Sequence, residues 1–132
     1  MPFDNPNNAP AFVDEIEIID RVKRRIRLPQ LWCKHDLARG GRRCLLGALN
    51  EADHGDYYSQ DFALPASSTV LLKLTNILCF QRRGDPTDEI AAFNDDATHA
   101  EVMSLLNRAR RELEEDQVQR LMRASKRRRC WR

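Results

Sequence analysis

The clearest pattern of apolar and polar positions in the chain lies between Thr98 and Leu113. Apolar residues recur there at the three- and four-residue spacing of one helix face, namely Val102, Leu105, Leu106, Ala109 and Leu113. Thr98 and Glu101 stand three residues apart at its start, as in a capping box, where each side chain binds the backbone amide of the other residue. The pattern predicts a capped helix over residues 98–122 whose apolar face packs on a core.

Residues 11–28 show a second helical pattern. Its apolar positions follow one stripe, namely Phe12, Ile16, Ile19, Val22 and Ile26. Acidic residues fall early in this stretch and basic residues fall late, which suits the helix dipole. Pro29 should end the helix near Arg27 or Leu28, because the residue before a proline avoids helical geometry.

Residues 43–53 and 67–83 complete a set of four predicted helices. Gly47 lies inside the shorter one, where it costs about 1 kcal/mol relative to Ala. We therefore expect the backbone of another helix to approach closely at Gly47. The longer stretch also alternates like a strand between residues 70 and 74, but its length favours a helix. Residues 88–93 are predicted as a short helix or turn that leads into the capped helix.

These patterns predict an all-α protein with a single compact domain of about four helices and irregular loops, covering residues 11–122. Residues 1–10, rich in proline and asparagine, form a flexible lead-in, and residues 123–132 form a basic C-terminal tail. No apolar run has the length of a membrane span. The N-terminus lacks the basic start and apolar core of a secretory signal, so we expect a cytoplasmic protein with mostly reduced thiols.

The net charge of +2 conceals an uneven distribution along the chain. Residues 1–50 carry nine Lys or Arg against six Asp or Glu, residues 51–100 carry three against nine, and residues 101–132 carry ten against five. Such asymmetry is typical of separate faces for separate partners, or of opposite-sign surfaces that pair between subunits. A simple solvated surface is the third interpretation.

Several short motifs lie within and between the predicted helices: Trp32-Cys33, Ala38-Arg39, Cys44-x-x-Gly47-Ala48 and Ile90-x-x-Phe93-Asn94-Asp95. Over roughly residues 12–115 they resemble a family of small bacterial and phage proteins of unknown function with the pattern W-C…A-R…C-x-x-G-A…W-N-D. Two departures are visible, since Phe93 stands where Trp is usual and this chain adds a basic tail. The resemblance implies an all-helical domain and assigns no catalytic residues.

Cysteine and histidine side chains are the first candidates for chemistry. Cys33, His35, Cys44 and Cys79 are of the types that bind zinc, but their spacing is not that of a zinc finger, and free cysteines are commonly buried. Cys33 and His35 would make a thiol nucleophile and its base, yet residues two apart on a helix do not face each other. His99 is expected at the surface. We therefore predict no catalytic residue, no metal and no cofactor.

The basic tail is the second candidate. Six of its ten residues are basic and one is a tryptophan, and the residues concerned are Arg123, Lys126, Arg127, Arg128, Arg129, Trp131 and Arg132. A basic run neutralises phosphates, and an aromatic ring within it stacks on a base. The alternative is a frayed helix end whose charges favour the negative end of the dipole and keep the protein soluble.

The function that we predict is a non-enzymatic binding module that acts through protein–protein contacts, either with a protein partner or by self-association. The alternative is a small nucleic-acid-binding protein that uses residues 123–132. An enzyme ranks third, because no convincing catalytic constellation is present in the sequence. We expect no membrane partner.

Overall fold

The computed structural model describes residues 14–55, 57, 65–78 and 85–130, with the last three residues as backbone only. These residues form five α-helices, a 3-10 helix and a two-stranded antiparallel sheet. The helices are α1 (Glu15–Arg25), α2 (Leu45–His54), α3 (Pro65–Leu78), α4 (Pro86–Asp96) and α5 (His99–Cys130). The 3-10 helix covers Pro29–Leu31, and the strands are β1 (Ala38–Arg39) and β2 (Arg42–Arg43).

The mostly helical single domain is confirmed, but the predicted count of about four helices is wrong because α4 is a full helix. Asp85 caps α4 by accepting a hydrogen bond from the Thr87 amide at 3.1 Å. The buried side chains of this helix are Thr87, Ile90 and Asn94. Since two of these three are polar, apolar periodicity predicts only a short helix or turn over residues 88–93.

Helix α1 also differs from its predicted bounds. Asp14 caps it by accepting a hydrogen bond from the Glu17 amide at 2.9 Å. The helix ends at Arg25, three residues earlier than predicted, because Ile26 has a φ of −120° and leaves helical geometry. Residues 11–13 of the predicted helix lie outside the described part of the chain.

The bounds of helices α2 and α3 are close to those of two predicted helices. Helix α2 starts two residues later than predicted, and it ends before Gly55, whose φ of 87° is the left-handed conformation common after a helix end. Helix α3 starts at Pro65, so the alternative of a strand in this stretch is wrong. Residues 79–84 of the predicted helix lie outside the described residues.

All five helices contribute to one apolar core. Its completely or almost completely buried side chains include Ile18, Ile19, Val22, Ile26, Leu45, Leu49, Val70, Leu74, Ile90, Val102, Leu106, Ala109 and Leu113. The whole apolar stripe predicted for α5 is buried, as expected. Leu113 is its last member, and no later residue in the described part of α5 is buried. The packed core therefore ends at Leu113 along this helix.

The start of α5 carries the predicted capping box. The Thr98 amide donates to Glu101 Oε1 at 2.8 Å, and the Glu101 amide donates to Thr98 Oγ1 at 3.1 Å. The helix then runs for 32 residues to Cys130, rather than ending near residue 122. No glycine or proline interrupts it, and its last 14 residues, 117–130, contain six basic residues and no acidic one, which favours the negative end of the helix dipole.

Residues 114–130 of α5 lie beyond the last buried side chain, and we call them the distal half. At 1.5 Å per residue these 17 residues are about 25 Å long. Despite the length of α5, none of the helices among the described residues is long and apolar enough to cross a membrane.

Among the four glycines that the structure describes, Gly47 is the one at which close packing excludes a side chain. A Cβ atom there would collide with the carbonyl oxygen of Leu37, which accepts a hydrogen bond from the Cys44 amide at 3.2 Å. The approaching backbone therefore belongs to the loop before β1, and the expectation of another helix at this position is wrong. The glycine lets the first turn of α2 seat directly on that loop.

The basic end of α1 is bound to the rest of the domain. Arg25 Nε donates to Glu51 Oε1 at 2.8 Å, and Arg43 Nε donates to Glu51 Oε2 at 2.6 Å. The Arg43 guanidinium also lies over the Tyr57 ring, 4.5 Å from its centroid. The Glu51 carboxylate of α2 thus joins α1 to the hairpin formed by β1 and β2.

Candidate functional site

A buried asparagine at the end of α4 connects three separate parts of the chain. Asn94 Oδ1 accepts hydrogen bonds from Trp32 Nε1 at 2.7 Å and from the Leu45 amide at 3.0 Å. Its Nδ2 donates to the Cys33 carbonyl at 3.0 Å. The Leu45 amide is at the first turn of α2, where helix amides have no partner within the helix. The Asn94 side chain therefore satisfies three groups that would otherwise be unpaired. We call the region formed by Trp32, Cys33, Cys44, Leu45, Asn94 and Asp95 the junction.

Asp95, the next residue, binds His35. Asp95 Oδ1 accepts from the His35 amide at 2.7 Å, and Asp95 Oδ2 lies 3.4 Å from His35 Nδ1. His35 has a φ of 71°, an uncommon conformation for a residue other than glycine. The imidazole remains largely in solvent, with 69% of the side chain exposed. The aspartate holds an irregular loop against α4.

Cys33 and His35 lie in this loop and not on a helix, so the helical explanation for their separation is wrong. The Cys33 thiol donates to the Asp36 carbonyl at 3.4 Å, whereas His35 contacts Asp95. No hydrogen bond joins the thiol to the imidazole among the described contacts. A thiol nucleophile activated by this histidine therefore has no geometric support.

Cys33 and Cys44, the two cysteines whose side chains the structure describes, are buried free thiols. Burial raises the pKa of Cys33, and it raises the pKa of Cys44 to about 11. Cys44 Sγ also accepts a hydrogen bond from the Gly47 amide at 3.2 Å, so the sulfur caps α2. A thiol that stays protonated at neutral pH is a poor nucleophile and a poor metal ligand.

The four residues considered for zinc do not form a site in the described structure. Within the described ranges, no group of three or more His, Cys, Asp or Glu side chains is placed to hold a metal ion. Cys79 lies outside these ranges. Cys33 and Cys44 are occupied by their loop and capping contacts.

A small cleft of about 140 Å³ opens beside the junction. It is lined by His35, Asp36, Leu37, Cys44, Leu46, Thr87, Asp88, Ala91, Asn94 and Asp95. Pockets for small-molecule ligands usually enclose about 300–1,000 Å³. Arg39 Nη2 already binds Asp36 Oδ2 at 2.7 Å. The cleft is too small for a typical substrate, and its polar residues His35, Asp36, Asn94 and Asp95 already form hydrogen bonds within the protein.

His99 is half-buried, and the expectation that it is a surface residue is wrong. Its Nε2 lies 2.7 Å from the Ile26 carbonyl oxygen, and its ring centroid lies 5.8 Å from that of Trp32. The first turn of α5 is thereby fixed to the end of α1. The periodicity of α5 carries no signal for this contact, because its partners are about 70 residues earlier in the chain.

The distal half of α5 is the second region of interest, and it carries exposed apolar side chains. Val118, Leu121 and Met122 are 53%, 68% and 62% exposed. Their spacing of three and four residues places them on one side of the helix. A shallow, open surface region of about 430 Å³ lies on this side, lined among the described residues by Arg111, Glu114, Glu115, Val118 and Gln119. We call Val118, Leu121 and Met122 the apolar patch.

Sequence periodicity misses the apolar patch because it is out of phase with the buried stripe. Val118 follows Leu113 by five residues, which rotates it to a different side of the helix. A search of residues 114–130 alone would find the spacing of 118, 121 and 122. Exposed apolar clusters are a signal of interaction sites when they are contiguous.

Charges of opposite sign flank the apolar patch along the helix. Four of the five residues from 112 to 116 are acidic, and residues 117–130 contain six basic residues and no acidic one. Lys73 Nζ binds Asp116 Oδ2 at 2.8 Å, and Arg120 Nη2 binds Glu15 Oε1 at 3.3 Å. These ion pairs tie the beginning of the distal half to α3 and α1.

The predicted nucleic-acid-binding residues are distributed over the end of α5. Arg123, Lys126 and Arg127 are exposed on this helix, so the predicted tail is helical as far as the structure describes it. Arg128 and Arg129 belong to the same helix, without described side chains. Trp131 and Arg132 lie outside the described residues.

Comparison with known proteins relates the core, but not the distal half, to a family. No curated protein and no solved structure matches the chain. A family model described as a family of unknown function, DUF6197, matches residues 13–112. The match ends one residue before Leu113, where the packed core also ends along α5. Because it spans more than half of the chain, the protein belongs to this family of unknown function, DUF6197.

Proposed function

We propose that the protein is a non-enzymatic interaction module that binds a partner protein through the distal half of α5. The observation that carries the proposal is the apolar patch, whose three side chains are each more than half exposed. Basic residues follow it at once on the same helix. A helix that combines apolar anchors at this spacing with basic flanks suits a partner groove with an apolar floor and acidic edges.

The junction supports the non-enzymatic part of the proposal. Asn94, Asp95, Cys33 and Cys44 use their polar groups to bind neighbouring loops and helix ends. The motif pattern noted in the sequence fits this structural role, since Trp32, Cys33 and Asn94 contact one another. A bacterial or phage origin of the family remains a prediction.

Site-specific crosslinking in cells tests the proposal. A photoreactive amino acid at Met122 should form a defined covalent adduct with the partner, because the side chain lies in the apolar patch. The matched control is the same amino acid at Leu72 on α3, which is 44% exposed but lies on a different helix. Absence of any adduct at Met122, or equal adducts at both positions, would contradict the proposal.

A second candidate function is nucleic-acid binding through the basic end of α5. The specific observation is that residues 117–130 contain no acidic residue, while Arg123, Lys126 and Arg127 are exposed. If six basic residues contact duplex phosphates, log K should fall with log salt concentration at a slope near −5. Protein contact ranks first because the apolar patch has no role in phosphate binding.

Fluorescence anisotropy at several salt concentrations tests this second function. The double variant Lys126→Ala/Arg127→Ala should reduce the slope by about 2, since each phosphate contact contributes about 0.9. The control is Arg24→Ala/Arg27→Ala, which removes the same charge from the end of α1 and its loop. Equal slopes for the two double variants, or no binding at low salt, would remove the basic end of α5 as a nucleic-acid site.

A further inference from the structure

We propose that the partner is a second copy of this chain, and that the two copies pair the distal halves of α5 in antiparallel orientation. The inference rests on the proposed function, because it names the partner of the same surface. Three features of the distal half support it: the position of the apolar patch, the order of the charges along the helix and the length of helix beyond the core.

The apolar patch lies near the middle of the distal half. Leu121, its most exposed member at 68%, lies seven residues after the start of the distal half at Glu114 and nine residues before its end at Cys130. A twofold axis near Leu121 places the apolar patch of one copy on that of the other. Both patches then leave solvent together, which is the main source of free energy in helix pairing.

The charge order decides between the two helix orientations. Of the acidic residues 114–116, only Glu114 lies on the same side of the helix as Leu121, because it precedes Leu121 by seven residues, or about two turns. In a parallel pair, Glu114 of the two copies would face each other, and like charges would repel. In an antiparallel pair centred on residue 121, position 114 falls opposite position 128, so Glu114 of each copy faces Arg128 of the other. The antiparallel orientation is therefore the favourable one.

The length of the distal half limits the affinity. Two helices that overlap over about 25 Å bury less area than a standard stable interface, which needs about 1,200 Å² or more. The distal half also keeps an excess of positive charge, because six basic residues outnumber three acidic ones between 114 and 130. We therefore expect a reversible dimer with a dissociation constant on the order of micromolar or weaker.

Sedimentation equilibrium of the full chain, from micromolar to several hundred micromolar, tests self-association. The natural chain should show a monomer–dimer equilibrium. Leu121→Glu should be monomeric throughout, because two carboxylates would meet near the twofold axis. Leu72→Glu, the same change at an exposed leucine of α3, should dimerise as the natural chain does. Unchanged circular dichroism would show that both variants are folded.

Charge reversal tests the orientation. Glu114→Arg and Arg128→Glu should each weaken the dimer about tenfold or more, since each creates two like-charge contacts in an antiparallel pair. The double variant Glu114→Arg/Arg128→Glu should restore the natural dissociation constant. In a parallel pair each residue faces the same residue of the other copy. Each single variant would then replace one repulsive like-charge pair with another, so the double variant would show no rescue.

The possible outcomes separate this inference from the proposed function. A monomer at all concentrations, or a dimer that Leu121→Glu leaves intact, would overturn self-pairing. If crosslinking at Met122 then gives an adduct with another protein or with nucleic acid, the distal half still binds a partner, and only its identity as a second copy is wrong. If Met122 gives no adduct either, the proposed function fails together with the inference.

Discussion

Polar groups at the junction bind one another, whereas those on the distal half of α5 largely face solvent. Asn94 is completely buried and satisfies three groups from other parts of the chain. Arg123, Lys126 and Arg127 are exposed on the distal half of α5. Side chains that join secondary structures are not available to bind a partner, whereas exposed side chains are. Substitutions at the junction should therefore lower the stability of the domain, and substitutions on the distal half should change binding and leave stability nearly unchanged.

The boundary of the family match agrees with this division. It ends at residue 112, and the last buried side chain of α5 is Leu113. What the chain shares with its family is thus the packed core with its junction. The distal half is joined to that core by the ion pairs of Asp116 and Arg120 but buries none of its described side chains in it, so stability measurements should separate the two.

The largest effect is expected from Asn94→Ala. Truncation leaves Trp32 Nε1, the Leu45 amide and the Cys33 carbonyl without their partner, and each unsatisfied buried group costs about 1–3 kcal/mol. We expect a loss of about 4 kcal/mol in the free energy of unfolding, measured by urea denaturation. Asn107→Ala, the same change at an exposed position of α5, should change it by less than about 0.5 kcal/mol. Similar losses in both variants would contradict the role of Asn94.

A second test compares two leucines of the same helix. Leu113→Ala should destabilise the domain by about 3 kcal/mol, because it removes a buried side chain and leaves a cavity. Leu121→Ala should change stability by less than about 0.5 kcal/mol at protein concentrations low enough to keep the chain monomeric. If Leu121→Ala also cost several kcal/mol under these conditions, the distal half would be part of the core and the comparison would be wrong.

The third test concerns the contact between α2 and the loop before β1. Gly47→Ala should destabilise the domain by about 2 kcal/mol, since the collision with the Leu37 carbonyl outweighs the gain of about 1 kcal/mol in helix propensity. Gly41→Ala is the matched control, because a Cβ there meets nothing within 4 Å. Thermal unfolding of the two variants measures the difference, and a stabilised Gly47→Ala variant would show that the loop moves aside.

These positions also show how far the sequence predicts the structure. Periodicity locates α5, its capping box and its buried stripe, because all of these depend on residues within one helical turn of one another. It misses the extent of α4, whose buried face carries Thr87 and Asn94. At Gly47 the sequence predicts a helix as the close neighbour, whereas the neighbour is a loop. Contacts between distant parts of the chain leave no local pattern, and the junction consists almost entirely of such contacts.

The smallest effect belongs to the capping box. In Thr98→Ala the Glu101 amide loses the Thr98 hydroxyl, its hydrogen-bond acceptor at 3.1 Å. The domain should lose about 1 kcal/mol, the usual cost of removing a cap.

Urea denaturation measures this loss. The control is Ser104→Ala, which removes a hydroxyl from an exposed position one turn later, where helix amides already have carbonyl partners. Because Ala favours helix, this control should be neutral or slightly stabilising. Equal unfolding midpoints for Thr98→Ala and the natural chain would mean that water replaces the hydroxyl at no cost. A loss of about 1 kcal/mol in Thr98→Ala alone would assign the start of α5 to the stability-determining part of the molecule, in contrast to its distal half.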